Sequence, residues 1–291
     1  MVKGQFKIQK ISDVGTGNPI VAGLTIGLFD IVEMAEINKE TQDAINSSNL
    51  NIIHSLTKAE KIGLQICKKI EAVLEELKKT GVQTQSFERC VNVPSTEGLD
   101  DVREFLKHGK QSLQELVKII NLFCDTGCTT PRYDQICKKL KEVYGDSDPV
   151  FLQVQQDHDQ WLKKFLDFRN ADEHPSSMIP NGKQLYYDFD INWSEPHQKW
   201  IVGFPHFYEG TSVYELVKTS IHNIFTFVED MNILFLQKKM PKMVEIQKVP
   251  NDQREKWGGR RYVTQLKPPF YPKGVKPEEG EFRAEFRGHI T

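Results

Sequence analysis

Apolar side chains recur every three or four residues along most of the chain, the spacing that places them on one face of an α-helix. The first clear stretch, residues 62–77, follows a Thr-x-x-Glu capping box at residues 57–60 and precedes a left-handed stop at Gly81. Residues 42–54 carry a weaker form of the same pattern. The sequence therefore predicts a helix from residue 57 to Gly81 and leaves open whether it begins earlier.

The next helices also have recognisable boundaries. A second helix is predicted over residues 99–123. Two more open at a proline, which is favoured at the first helical position: one covers residues 131–144, and the other runs from Pro149 to no further than His174. A long helix then begins at a second capping box, residues 212–215, and continues past Val228.

Over residues 184–207 the apolar period changes to two, which predicts a β-hairpin. The composition changes after Met240: residues 241–291 hold 11 Lys and Arg against 7 Asp and Glu, with frequent Pro and Gly. We therefore predict a mainly α fold, a helical bundle of four to five long helices with an inserted β-hairpin and an irregular, basic C-terminal tail. Its parts are an N-terminal segment (1–56), a helical domain (57–240) and the tail.

The composition argues against a disordered protein and against a membrane-spanning helix. The 291-residue chain is 38% hydrophobic and contains 17 Phe, enough to bury a sizeable core. Its longest apolar run, residues 20–29, is about half a membrane span and is predicted to be a short buried helix or strand. Five cysteines, an odd number, indicate reduced thiols and a cytoplasmic location. A formal net charge of −2 gives no general attraction to nucleic acids or membranes.

Signatures of metal and cofactor binding are missing from the sequence. Cys124 and Cys128, with Cys137 nearby, supply one thiolate pair, whereas a structural zinc site needs four ligands. Buried free cysteines are the preferred interpretation. The chain also has neither a glycine-rich phosphate loop nor a Gly-x-Ser-x-Gly nucleophile elbow. We therefore predict no metal and no cofactor.

One motif combines side chains suited to RNA cleavage: Arg169-Asn170, followed by His174 at a predicted helix end. The imidazole titrates near neutrality and can move the proton of a ribose 2′-hydroxyl or of the leaving oxygen. The guanidinium can hold a phosphate through two hydrogen bonds and stabilise charge on its oxygens. Two other Arg–His pairs have similar spacing, but only this one has Asn directly after Arg.

The motif and its helical setting, over about residues 57–238, resemble the HEPN superfamily, in which Arg and a following polar residue precede His by four to six positions. The resemblance implies a metal-independent endoribonuclease that acts on RNA as a homodimer, with two motifs sharing one cleft. Many catalytic relatives serve in toxin–antitoxin pairs or antiphage defence. By this resemblance Arg169 binds the phosphate, His174 transfers the proton and Asn170 orients the substrate.

The same residues allow a structural interpretation. Arg169 can form an ion pair with Asp172 or Glu173, and His174 can favour the negative end of the helix dipole. The two acidic residues would also repel a phosphate unless basic side chains turn them away. The alternative function is a non-catalytic helical protein–protein interaction module, which predicts an exposed apolar groove and no convergence of polar groups around His174.

A second candidate site lies in the tail, where cations alternate with aromatic rings that can stack on bases. Its six residues are Arg254, Lys256, Trp257, Arg260, Arg261 and Tyr262. One interpretation is a nucleic-acid-binding segment. The other is a solvated loop that Trp257 and Tyr262 attach to the body of the protein. Two Glu-Phe-Arg repeats near the end of the tail are interpreted as flexible or as contacts for a protein partner or inhibitor.

Overall fold

Helices dominate the structure, so the fold is mainly α, as the apolar spacing predicts. The computed structural model describes residues 15, 17–81, 83–84, 91–92, 101–173, 187–194, 196, 199–207, 210–256 and 260–267. The helices are α1 (Pro19–Ala22), α2 (Leu28–Met34), α3 (Lys39–Thr80), α4 (Asp101–Phe123), α5 (Tyr133–Tyr144), α6 (Pro149–Asp157), α7 (Lys163–Glu173) and α8 (Val213–Gln237). A π-helical turn joins α1 to α2 (Gly23–Gly27), and another joins α6 to α7 (His158–Leu162).

The described strands form three antiparallel pairs. They are β1 (Gln83–Thr84) with β2 (Val91–Asn92), β3 (Tyr187–Ser194) with β4 (Lys199–Phe207), and β5 (Val244–Lys248) with β6 (Tyr262–Leu266). The β3–β4 pair is the predicted hairpin. The β5–β6 pair lies within the tail, and Val244 pairs with Leu266 at its end. This part of the tail is therefore ordered.

The core lies where α3, α4 and α8 pack against one another, with α7 packed on α4 and α6 on α8. Each of the three long helices buries an apolar stripe completely, with residues such as Ile52, Phe105 and Phe235. Further aromatic rings tie the outer helices to this core. Trp161 of the π turn, for example, meets Phe227 of α8 edge to face, with ring centroids 6.1 Å apart. The bundle is thus built from the apolar faces that define the helices in the sequence.

Of the two starts that the sequence leaves open for the first long helix, the structure shows the earlier one, because α3 is one continuous helix of 42 residues and the Thr57 capping box does not begin it. Its N-cap is Asn38, whose side chain accepts a hydrogen bond from the Thr41 amide. The Thr57 hydroxyl instead donates to the carbonyl of Ile53 within the helix. The weaker pattern over residues 42–54 is therefore an earlier part of the same helix, and the predicted boundary at residue 56 falls inside it.

Other helix boundaries follow the predicted capping chemistry more closely. Asp148 caps α6 by accepting from the Val150 amide, and Ser212 caps α8 by accepting from the Glu215 amide. The predicted start of a helix at Pro131 is wrong, since α5 begins two residues later, at Tyr133. The proline precedes this helix without belonging to it.

The apolar run over residues 20–29 forms α1, the first π turn and the start of α2, as predicted for a short buried helix. Ile20, Leu24 and Leu28 face the core and are almost completely buried. The side chain of Asn18 caps α1 and also donates to the Glu60 carboxylate of α3. Within the described part of the chain, no helix is long and apolar enough to span a membrane.

Two asparagines face each other in the centre of the bundle, one on α3 and one on α8. The amide nitrogen of Asn49 donates to Asn232 at 3.3 Å, and that of Asn232 donates back to Asn49 at 3.2 Å. Both side chains are completely buried. Because each amide satisfies the other, the two polar groups are tolerated in an apolar interface.

Gly109 lets α7 approach α4 closely. A Cβ atom at this position would lie 2.4 Å from the Phe165 ring of α7 and 3.1 Å from Ile224 of α8. Both contacts are shorter than van der Waals distance. Because glycine has no side chain, α7 can pack close to α4 at Gly109 and to the residues beside it.

We expect the Gly109→Ala substitution to destabilise the protein by about 1–3 kcal/mol, because the added methyl group overpacks the Phe165 contact. In an unconstrained helix the same change would stabilise by about 0.5–1 kcal/mol. Urea unfolding measures the difference. The control is Gly27→Ala, whose Cβ would meet only Ala22 at 3.7 Å. A gain in stability from Gly109→Ala would contradict the close contact.

Candidate functional site

The Arg169–Asn170 pair lies in the last turns of α7, beside α4. Its neighbours Phe168 and Ala171 are buried, and the Phe168 ring stacks on Phe207 of β4 with centroids 4.1 Å apart. These two residues fix the rotation of the helix about its axis. Arg169 is consequently held largely inside the protein, with 12% of its side chain exposed. His174, the third residue of the motif, lies outside the described residues.

Four side chains form what we call the junction cluster: Lys110 of α4, with Arg169, Asn170 and Glu173 of α7. The Glu173 carboxylate is 2.8 Å from the Arg169 guanidinium and is also in contact with the Lys110 ammonium. Lys110 donates in addition to the Asn170 side-chain oxygen at 3.1 Å. The ion pair between Arg169 and Glu173 considered from the sequence therefore forms, and a second cation joins it.

The junction cluster carries two positive charges and one negative charge, so its net charge is positive. Both Lys110 and Arg169 contact Glu173, so its negative charge is offset, but a phosphate has to displace this carboxylate from the two cations. Nothing is described of the Asp172 side chain. Sequence reasoning does not find Lys110, because 60 residues separate it from Asn170. The signal that could have found it is Gly109, since a glycine inside a helix often marks the close approach of another segment.

The structure places the six candidate residues of the tail in different surroundings. Arg261 and Tyr262 point towards α8. The Arg261 guanidinium lies 2.5 Å from Glu229 and 2.9 Å from Asp230, and the Tyr262 hydroxyl donates to Asp230 at 2.5 Å. Arg261 is also buried. We call these four side chains the tail anchor.

Of the other four candidates of the tail, the three that the structure describes share no described hydrogen bond or ion pair with the tail anchor. Arg260 is 3.3 Å from the exposed carboxylate of Asp30, and Arg254 donates to the backbone carbonyl of Val249. Lys256 is exposed, and Trp257 lies outside the described residues. The predicted binding of nucleic acid by this segment stays a prediction, and the tail anchor gives Arg261 and Tyr262 a role in attaching the tail.

No family model matches the chain. The comparisons with curated proteins and with solved structures also give no significant match. The function is therefore inferred from the chemistry of the described side chains and from the motif in the sequence.

The cysteines are placed as the sequence suggests. Cys124, Cys128 and Cys137 are buried and free. Burial raises the pKa of Cys137 to about 12 and also raises the pKa of Cys124, so these thiols are protonated at neutral pH and are poor nucleophiles. Among the residues that the structure describes, no three His, Cys, Asp or Glu side chains are grouped to hold a metal ion.

The tail anchor makes stability depend on pH. Burial raises the pKa of the Glu229 carboxyl from 4.5 to about 7, although Arg261 acts in the opposite direction. The folded protein thus keeps a proton that the unfolded chain has released. This contribution to stability is complete below about pH 4.5 and is lost as the pH rises to about 7.

We therefore expect the free energy of unfolding to fall by up to about 3 kcal/mol over this window, since one pKa unit corresponds to about 1.4 kcal/mol. Urea unfolding at several pH values tests this. Glu229→Gln should remove most of the slope, whereas Glu255→Gln, on an exposed residue of the tail, should leave it unchanged. A stability that rises with pH over this window in the wild type, and not in Glu229→Gln, would contradict the assignment.

Proposed function

We propose that the chain is a HEPN-like, metal-independent endoribonuclease, with Arg169, Asn170 and His174 in its active site and Lys110 as a further phosphate-binding residue. The observation that supports this is the Glu173 carboxylate held between Arg169 and Lys110 on two different helices. Carboxylates and phosphates are bound by the same guanidinium and ammonium donors. The carboxylate therefore marks a position that suits a phosphate oxygen.

The proposed reaction needs proton transfer and charge stabilisation. His174 takes the proton of the ribose 2′-hydroxyl, whose oxygen attacks the adjacent phosphorus. The bond from phosphorus to the 5′ oxygen breaks, that oxygen takes up a proton, and the products are a 2′,3′-cyclic phosphate and a 5′-hydroxyl. Arg169 and Lys110 stabilise the charge on the phosphate oxygens. In a homodimer, a second His174 is available for the other proton transfer.

The alternative hypothesis, a non-catalytic interaction module, predicts an exposed apolar groove together with no convergence of polar groups near His174. The junction cluster brings two cations, an amide and a carboxylate together immediately before that residue. This arrangement favours the catalytic proposal. The further role as a toxin or defence effector belongs to the HEPN resemblance and is part of the same proposal.

The direct test is cleavage of single-stranded RNA by the purified chain in excess chelator, with analysis of the product ends. We expect the RNA to be cleaved under these conditions and the fragments to carry 2′,3′-cyclic phosphate ends. Absence of cleavage over a broad set of RNA sequences, by a protein that is folded and dimeric, would count against the proposed function.

We expect Glu173→Gln to bind RNA about fivefold more tightly, because the glutamine no longer competes with phosphate for the two cations. A partly exposed ion pair contributes up to about 1 kcal/mol, which corresponds to this factor. Affinity is measured by filter binding with an RNA analogue whose 2′-hydroxyl groups have been replaced. This analogue cannot be cleaved, because the 2′-hydroxyl is the attacking group. The salt concentration is held constant, because phosphate contacts depend strongly on it.

The matched control is Glu142→Gln, which removes the partner of Lys139 in an exposed ion pair on α5. It changes the net charge by the same amount at a different place. If both variants gain affinity equally, the effect is one of total charge. If Glu173→Gln alone loses affinity, Glu173 supports the site and does not compete with phosphate.

A further inference from the structure

A polar cleft of about 320 Å³ lies between the second π turn and α8. Six described residues line it: Asp157, Gln160, Trp161, His222, Asn223 and Thr226. The first three belong to the end of α6 and the π turn, and the others to α8. π-Helical turns within α-helices are frequent at functional sites, because the extra residue alters which side chains face a common surface.

The indole of Trp161 is held in place on two sides. Its nitrogen donates to Asp157 at 2.6 Å, and its ring packs edge to face on Phe227. The second oxygen of Asp157 accepts from Gln153, also at 2.6 Å. Asp157 is therefore a positioning residue for the indole. A half-buried aromatic ring fixed in this way is a preorganised surface for stacking.

Apart from Asp157 and Trp161, the polar side chains that line the cleft have no hydrogen-bond partner within the described part of the protein. The Thr226 hydroxyl oxygen is buried and forms no hydrogen bond. No described hydrogen bond or ion pair involves the side chains of Gln160, His222 or Asn223, although all three line the cleft. Buried polar atoms in proteins are normally satisfied, so the unpartnered Thr226 hydroxyl is unusual; it lies just beneath the cleft surface and can bond a ligand after a small shift of the cleft wall.

The lining of the cleft selects the class of ligand. Its described residues include one carboxylate and neither Lys nor Arg, which disfavours a phosphate. The amides of Gln160 and Asn223 each offer a donor and an acceptor. A fixed aromatic ring with amides around it matches a planar, uncharged group that has donors and acceptors on its edge. Unpaired nucleobases are recognised in this manner, by stacking and by hydrogen bonds to their edges.

We propose that this cleft binds a nucleobase of single-stranded RNA. The cleft also lies near enough to the junction cluster for one RNA strand to reach both. This point rests on the proposed nuclease function. Trp161 lies in the π turn that leads into α7, and Arg169 lies near the other end of that helix. The eight residues from Trp161 to Arg169 correspond to about 12 Å. A strand with one base in the cleft can place a nearby phosphate at Arg169.

The experiment is calorimetric titration of the full chain with adenosine, guanosine, cytidine and uridine. Nucleosides carry no phosphate, so they report on the cleft and not on the junction cluster. We expect saturable binding of at least one of them. Asn223→Ala should weaken it about tenfold, and Thr226→Val, which removes the hydroxyl while preserving shape, about threefold. Thr219→Val is the control on α8, because its hydroxyl only donates to the carbonyl of Glu215.

Lack of saturable binding by all four nucleosides would overturn the proposal, and so would binding that survives both Asn223→Ala and Thr226→Val. Thermal unfolding of each variant checks that the fold is intact. If Asn223→Ala does not fold, the isosteric Thr226→Val variant is the one that tests the proposal. Equal binding of glucose would identify a sugar site and also overturn it. RNA cleavage without nucleoside binding refutes only the cleft, whereas nucleoside binding without RNA cleavage refutes only the nuclease.

Discussion

His174→Ala is expected to lower the rate of RNA cleavage about 10²–10⁴-fold, the usual contribution of a positioned acid–base group. The free energy of unfolding should change by no more than about 1 kcal/mol, because a histidine at the helix end that the sequence predicts interacts with the helix dipole only weakly. The two measurements together separate a chemical role from a structural one. Cleavage is followed with a fluorescent RNA in excess chelator, and stability by urea unfolding.

Arg169→Lys completes this test, because it keeps the charge and removes the planar group that can bind two phosphate oxygens. We expect it to lose cleavage as well. The purely structural interpretation predicts a tolerated lysine at 169, where the ion pair with Glu173 can be re-formed. Undiminished cleavage by His174→Ala, with contaminating nuclease excluded, would end the catalytic assignment.

Arg261→Met is expected to destabilise the protein by about 3–5 kcal/mol near pH 8, the usual cost of removing one partner of a buried ion pair. The substitution leaves Glu229 and Asp230 close together without their cation. The loss should be smaller near pH 5, because the Glu229 carboxyl is then protonated. Urea unfolding of the full chain at both pH values measures the difference.

Arg260→Met is the matched control, since it is the adjacent residue and its partner Asp30 is 58% exposed. Exposed ion pairs contribute at most about 1 kcal/mol, so its effect should be small at either pH. If the two substitutions destabilise the protein equally, Arg261 does not anchor the tail. If both change affinity for RNA without changing stability, the tail is a nucleic-acid-binding segment.

Local chemistry explains which parts of the fold could be predicted. The caps at Asp148 and Ser212 involve residues two or three positions apart, so their signals are contained in the sequence. The continuity of α3 could not be predicted in the same way. Buried polar residues such as Ser48 and Ser55 interrupt its apolar pattern, and Thr57 bonds back to Ile53 within the helix. A capping box and a continuing helix look the same until packing decides between them.

The candidate site shows the same limit at longer range. Arg169 and Asn170 stand out because their chemistry is local to one helix. Lys110 reaches them only because α4 and α7 pack closely at Gly109, and Arg261 reaches Glu229 across 32 residues. Such partners are fixed by tertiary packing. In the sequence, these long-range contacts are indicated only by a glycine or a carboxylate within an otherwise apolar stripe.

The pair of asparagines between α3 and α8 has a consequence for alignment. Apolar contacts alone would allow α8 to slide along α3 by one turn, because one aliphatic side chain can replace another. In a shifted arrangement, Asn49 and Asn232 would each be buried without a partner, at a cost of about 1–3 kcal/mol per group. The same alignment sets the height of Glu229, three residues before Asn232, and hence the point at which Arg261 meets the helix. The asparagine pair in the centre of the bundle therefore also sets the point at which the tail attaches to α8.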